Sequence, residues 1–328
     1  MIEKNKELMP QNWASCSQPF DQLKNEISRI IVGNQEAIDL MIIAILSNGH
    51  VLLEGVPGIA KTTMIKTIAQ ALGLSFKRIQ FTPDLLPADL VGTLIFNPKT
   101  QDFETKKGPI FAHVILADEI NRAPAKVQSA LLESMQEHQV TIGSETHKID
   151  EPFLVFATQN PLEQQGTYQL PEAQIDRFMF KIHMDYPSIE EEKEIINRVF
   201  NQQTTQVIVH KADIFNAQQL IQQIYVDPKV IDYITHLVFA TRKPSLFNLD
   251  QLTPYIQHGA SPRATLNLYR ASQAHAFIRK RQFVTPDDVK AVAIPILRHR
   301  LILSFQAHGE EYTADNIIKE ILSNLKTP

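Results

Sequence analysis

A single cysteine, Cys16, stands in 328 residues, which excludes an intrachain disulfide and any zinc ribbon. The 11 histidines are scattered, with no two closer than nine residues, so a His-x-x-x-His metal pair is absent. The longest uninterrupted apolar run, Leu40 to Leu46, has seven residues; a bilayer span needs roughly 20. The opening stretch MIEKNKELMPQNW contains no apolar signal-peptide core. The expectation is therefore a cytoplasmic protein without membrane insertion. Basic charge is not in excess either. A net charge of −4 and a pI near 6.3 argue against a bulk nucleic-acid binder, though not against a local basic channel. Internal repeats and low-complexity segments are lacking. What is present is ordinary for a globular chain: 44% apolar and 21% charged residues, and length for about two domains.

Residues 1 to about 17 read as a loose lead-in. From Phe20, Leu23, Ile27, Ile30 and Ile31 recur at helical spacing. A break at Ile31-Val32-Gly33 restarts a helix, with Asn34 as its N-cap, that is apolar nearly all round and should be buried. Strand signals fall at Val51–Glu54, Ser75–Phe81, His113–Ala117, Phe153–Thr158 and Met179–Met184, alternating with helical patterns. That alternation predicts an α/β fold with a parallel sheet flanked by helices. Two hairpins are expected at Thr93–Thr105 and Gln139–Ile149. After Asp185-Tyr186-Pro187 helical stripes take over, with one residual strand signal at Thr205–His210. The predicted division is an α/β core over 1–187 and an all-α domain over 188–328. Trp13 stands isolated and suggests nothing.

The chemistry is concentrated at Gly55-Val56-Pro57-Gly58-Ile59-Ala60-Lys61-Thr62-Thr63, between an apolar strand and a helix. Loop amides and the positive helix end make an anion site, Lys61 would reach terminal phosphates, and the Thr62 hydroxyl would hold Mg2+. The pattern G-x-x-x-x-G-K-[ST] is broken only by Ala60, which on steric grounds fits only with φ below zero. About sixty residues later a buried strand ends in Asp118-Glu119, a metal-binding carboxylate beside a candidate base for the attacking water. Asn160 ends the next buried strand, where an amide can hold the water or the γ-phosphate. Arg177 could neutralise charge on a transferring phosphoryl group; its bland alternative is a surface pair with Asp176. Arg263 follows Ser261-Pro262, an N-cap and N1 pair that would aim it in a set direction.

The order GVPGIAKT, ILADEINRAP, FATQNP, LPEAQIDRF and SPRA resembles the AAA+ ATPases, and within them the MoxR family, whose sequences also carry Ala at the place of Ala60. The resemblance implies a P-loop AAA+ core with a helical lid. It assigns Lys61 and Thr62 to Walker A, Asp118 and Glu119 to Walker B, and Asn160 to sensor 1. Arg177 matches the arginine finger and Arg263 sensor 2, while Val32 and Gly33 match the segment that packs on adenine. It further implies ATP bound with Mg2+ between core and lid, and a homo-oligomeric ring, usually of six subunits. Arg177 of one subunit would then complete its neighbour's site. Protein clients would meet the two hairpins, and a von Willebrand A domain partner would be a separate polypeptide, because no D-x-S-x-S motif occurs.

Two rival readings are a nucleic-acid motor and a nucleotide-gated binding module with little turnover. Neither hairpin is basic, although Phe96 and Phe103 could stack on bases. Glu119 and Arg177 speak against the module. Arg298-His299-Arg300 reads as a helix face or interface, and Arg279-Lys280-Arg281 as a solvated helix end.

Overall fold

The computed structural model describes residues 13–160, 168–199 and 204–328. Pro161, which follows sensor 1, and the first twelve residues of the predicted lead-in lie outside these. Helix α1 (Trp13–Ile30) starts earlier than the periodicity suggested. Trp13, far from being idle, is buried and meets the Phe277 ring edge-on at 5.4 Å, which ties the first helix to the C-terminal region.

Helix α2 (Gln35–Leu46) buries Ala37, Ile38 and every residue from Leu40 to Leu46, as its all-round apolar character requires. Each such Ile or Leu contributes about 1.5–3 kcal/mol on burial. Asn34 occupies the N-cap position but makes no capping bond with its side chain; its φ of 54° places it in the left-handed region that Asn tolerates.

Strand β1 (Val51–Gly55) runs into α3 (Lys61–Ala71), then β2 (Phe76–Gln80) and the short α4 (Pro87–Val91). The first hairpin is β3 (Gly92–Asn97) with β4 (Asp102–Lys107), and the wholly buried β5 (Val114–Asp118) follows. After α5 (Ala125–Glu137) comes the second hairpin, β6 (Gln139–Ile142) with β7 (Glu145–Lys148). Strand β8 (Leu154–Gln159), α6 (Glu172–Ile175) and β9 (Phe180–Met184) complete the core. Both predicted hairpins form, and they touch: Leu94 packs on the turn at Gly143. The sheet order is β2-β5-β8-β1-β9, all parallel, with Val51 opposite Phe180 and Gly55 opposite Met184.

Beyond Pro187 the chain is mainly helical: α7 (Ile189–Val199), α8 (Lys211–Ile221) and α9 (Pro228–Arg242). A two-strand ribbon of β10 (Ile256–His258) and β11 (Ile302–Leu303) brackets α10 (Pro262–Ile278) and α11 (Pro286–Leu297). Helices α12 (Phe305–Gly309) and α13 (Ala314–Asn324) end it. The strand signal at 205–210 does not produce a strand. Ile208 and Val209 instead both donate backbone N–H bonds to the Ala71 carbonyl at the end of α3. Arg281 is not solvated as expected. It pairs with Asp288, which is 0% exposed and also accepts from the Thr285 N–H and hydroxyl and the His275 ring.

Candidate active site

The phosphate loop leaves the C-terminal end of β1. A Cβ on Gly55 would stand 2.5 Å from the Met184 carbonyl of the neighbouring strand, so only glycine lets the sheet close there. Gly58 has φ +86° and open space where a side chain would project. Ala60 departs from the expectation: its φ is 60° and ψ 23°, left-handed, and the local turn into α3 overrides the cost of its Cβ. Its carbonyl accepts the Met64 N–H, the first helical bond of α3. Lys61 donates to the Gly55 carbonyl at 2.6 Å. Burial pulls its pKa down, opposed by the charges of Asp118, Glu119 and Glu54, which places loop and strand ends in one electrostatic neighbourhood.

The carboxylates at the end of β5 are held by β2 and β8. Thr158 donates its hydroxyl to Asp118 at 2.6 Å and accepts the Glu119 N–H at 2.8 Å. Arg78 donates through Nε and Nη2 to the other Asp118 oxygen, at 2.9 and 2.6 Å. Glu119 has φ 56° and accepts from Gln80 at 2.8 Å and Arg122 at 3.0 Å. A non-glycine residue held in this conformation by three neighbours is the kind of local strain found where a side chain must be aimed. Asn160 is buried just past β8.

A largely apolar cavity of about 640 Å³ runs from Pro57–Ala60 past Ile31 and Val32 to Tyr186 and Ile195. Its size and lining suit a nucleotide base and sugar. Gly33 lies beside it with the Glu191 carboxylate packed against it. The Thr62 hydroxyl and Asp118 carboxylate are the hard oxygen donors that magnesium takes. These residues fit ATP with Mg2+. Glu54, next to the loop, bonds Lys181 and His183, each at 2.8 Å. Burial pushes its pKa up, but the His183 hydrogen bond and the Lys181 charge prevail and bring it to about 2.

Arg177 and Arg263 do not join this group. Arg177 precedes β9, at the end opposite the loop. The register Val51–Phe180 to Gly55–Met184 puts four residue steps, about 13 Å, between the two ends. There Arg177 donates to the Leu132 carbonyl at 3.0 Å, while its buried Nε has no partner among the described residues. Arg263, at the start of α10, lies 3.5 Å from Asp176 and lines a cavity of about 260 Å³ together with Arg177. Arg263 thus lies away from the phosphate loop of its own chain, because the helical region sets the α10 N-terminus against the start of β9. Asp176 likewise is not a surface partner of Arg177. It accepts from Ser261 at 3.0 and 2.9 Å and from Arg300 at 2.8 Å.

Residues 50–180 match the profile of the ATPase family associated with various cellular activities (AAA), and residues 252–321 match the AAA lid domain. The chain is 47% identical over 304 residues to Chaperone MoxR1 of Mycobacterium tuberculosis, covering 92% of this chain and 81% of that one. It is 43% identical over 305 residues to the YeaC protein of Bacillus subtilis, covering 92% of each. A crystal structure of a candidate ATPase from Cytophaga hutchinsonii superimposes with a TM-score of 0.92 at 48% identity, covering 97% of both chains. The chain belongs to the MoxR family of AAA+ ATPases.

For this MoxR-family chain, motif reading reached the loop, both carboxylates and both arginines, but missed the side chains that hold them. Arg78, Gln80 and Thr158 carry no local signal beyond a polar residue near the end of a strand. Only the pairing of β2 and β8 with β5 gives them a role. Arg300 was visible as part of a basic triplet read as a helix face or interface; the triplet lies in the turn after α11, and Arg300 points inward at the start of β9. Its side chain is 1% exposed, and burial lowers its pKa to about 10 against the opposing pull of Asp176.

Proposed function

We propose that this protein is an Mg2+-dependent ATPase that works as a ring, with each active site shared between two subunits. Lys61 and the loop amides bind the ATP phosphates, and Thr62 and Asp118 hold the magnesium, which when bound neutralises phosphate charge. Glu119 takes the proton of the attacking water, and Asn160 orients that water or the γ-phosphate. Arg177 and Arg263 stabilise developing charge at the site of the adjacent subunit.

The observation that carries the shared site is the separation of the loop and the arginine pair to opposite ends of one parallel sheet. One chain cannot bring them together, whereas a head-to-tail neighbour can, and closure of such contacts makes a ring, here expected to be a hexamer.

Protein clients are the proposed target, with remodelling, assembly or metal loading as the outcome and a separate von Willebrand A protein as a possible adaptor class. The first hairpin exposes Leu94, Ile95, Phe96 and Phe103, with the two rings 5.4 Å apart. Exposed apolar arms without an excess of basic charge suit peptide contact better than a phosphate backbone.

The test is subunit mixing. Arg177→Ala and Lys61→Ala are each expected to be inactive alone, and their mixture to recover turnover. No recovery would show that Arg177 acts within its own chain or not at all. Glu119→Gln is expected to keep ATP affinity while hydrolysis falls about 10²–10⁴-fold; equal loss of both would remove Glu119 from its role. DNA-stimulated, steeply salt-dependent hydrolysis would instead favour a nucleic-acid motor.

A further inference from the structure

The triplet Arg298-His299-Arg300 follows α11 and grips the backbone on both sides of Arg177. Arg300 Nη2 donates to the carbonyls of Asp176 at 2.9 Å and Phe178 at 2.7 Å, and Nη1 donates to Met179 at 3.2 Å. The His299 Nε2 donates to Phe178 at 3.1 Å, and Arg298 reaches the Lys181 carbonyl at 3.4 Å. The Asp176 carboxylate completes the knot. It accepts from Arg300 Nε and from Ser261, the N-cap that starts the helix bearing Arg263. One buried guanidinium from the helical region and one carboxylate from the core thus fix the backbone of Arg177 and the helix entry of Arg263 together.

We propose that Arg300 and Asp176 are positioning residues for the trans-acting arginines, setting Arg177 and Arg263 as one rigid pair. This rests on the shared-site reading above. Neither residue needs to touch nucleotide. A fork held by the carbonyls of Asp176, Phe178, Met179 and Ile296 and by a carboxylate has a single low-energy placement. Loss of that placement lets a guanidinium shift by about 1 Å, the scale on which positioning governs rate. The P-loop of the same chain lies at the other end of the sheet and is outside the reach of this knot.

The consequence is directional, which makes it testable with full-length chains. In the mixture of Arg177→Ala with Lys61→Ala, the Lys61→Ala chain supplies the arginine face and the Arg177→Ala chain supplies the P-loop. Arg300→Gln placed on the Lys61→Ala chain is expected to cut the recovered kcat by about 10–100-fold, the loss that a misplacement of about 1 Å causes. Placed on the Arg177→Ala chain, it is expected to leave kcat within about twofold, with KM for ATP unchanged in both arms. Asp176→Asn and Ser261→Ala, which nearly keep the side-chain volume, go through the same two arms and carry the test if Arg300→Gln does not fold. Equal losses in both arms would assign the knot to general stability and overturn the proposal, as would no loss in either. No turnover in the parent mixture would overturn the shared-site reading and this inference with it.

Discussion

Ala60 is where a rule read from sequence and the folded backbone disagree, and the disagreement can be measured. A residue with a Cβ in the left-handed region costs about 1–2 kcal/mol relative to a residue free of that clash. Ala60→Gly removes this cost but adds about 0.4–1 kcal/mol of unfolded-chain entropy. The net expectation is a stabilisation of about 0–1.5 kcal/mol. Ala60→Val should move the other way, by about 1 kcal/mol or more, because a β-branched residue at positive φ is a true outlier. Ala60 is exposed, so neither change is confounded by a cavity or by overpacking. Urea titrations followed by circular dichroism, without nucleotide, give the comparison, with midpoints expected in the order Gly, Ala, Val. Were φ negative, as the steric rule alone required, Gly would lower the stability by about 1 kcal/mol, and the midpoint with it, and Val would be nearly silent. That inverted order would refute the left-handed assignment.

Asp288 is fully buried among Arg281, His275 and Thr285. Asp288→Ala should destabilise by about 3–5 kcal/mol through the stranded Arg281 charge, read as a drop in the thermal midpoint; a change under about 1 kcal/mol would mean that the network is wet. His50 is held neutral: Nδ1 accepts the Val155 N–H at 3.1 Å, Nε2 donates to Met135 at 3.2 Å, and burial lowers its pKa from 6.5 to about 4. Because the unfolded chain binds the proton more readily, stability is full above pH 6.5 and falls as pH drops towards 4, by about 3 kcal/mol in total. Urea midpoints across this range should slope in the wild type and lose that share of the slope in His50→Gln; an unchanged slope would assign it to other groups. Thr158→Val, which strips Asp118 of one donor and strands the Glu119 N–H, should cost about 1–3 kcal/mol and raise the Mg2+ concentration needed for tight ATP binding.

Local pattern was enough for much of this molecule. The apolar runs at 51–54, 113–117 and 153–158 are strands buried on both faces, the near-continuous apolar helix α2 is interior, and both hairpins stand where alternation and turn residues put them. Such features depend on residues within a few positions of each other, and a linear chain displays those relations directly. The loop from Gly55 to Thr63 and the pair Asp118-Glu119 were legible for the same reason.

Tertiary structure alone decided what lies far apart along the chain. Arg300 meets Asp176 across 124 residues and Arg78 meets Asp118 across 40. No periodicity encodes such pairings, because they follow from strand order and from the face on which a helix lands. The conformation of Ala60 was set by the turn joining β1 to α3, which outweighs one residue's intrinsic preference. The two arginines were visible as residues, yet only the order β2-β5-β8-β1-β9, with β9 parallel beside β1, placed Arg177 at the far end of the sheet from the loop, and only the packing of α10 against the start of β9 brought Arg263 to it. Their side chains could not reveal that, since the direction in which a motif residue faces belongs to the packing of the whole chain.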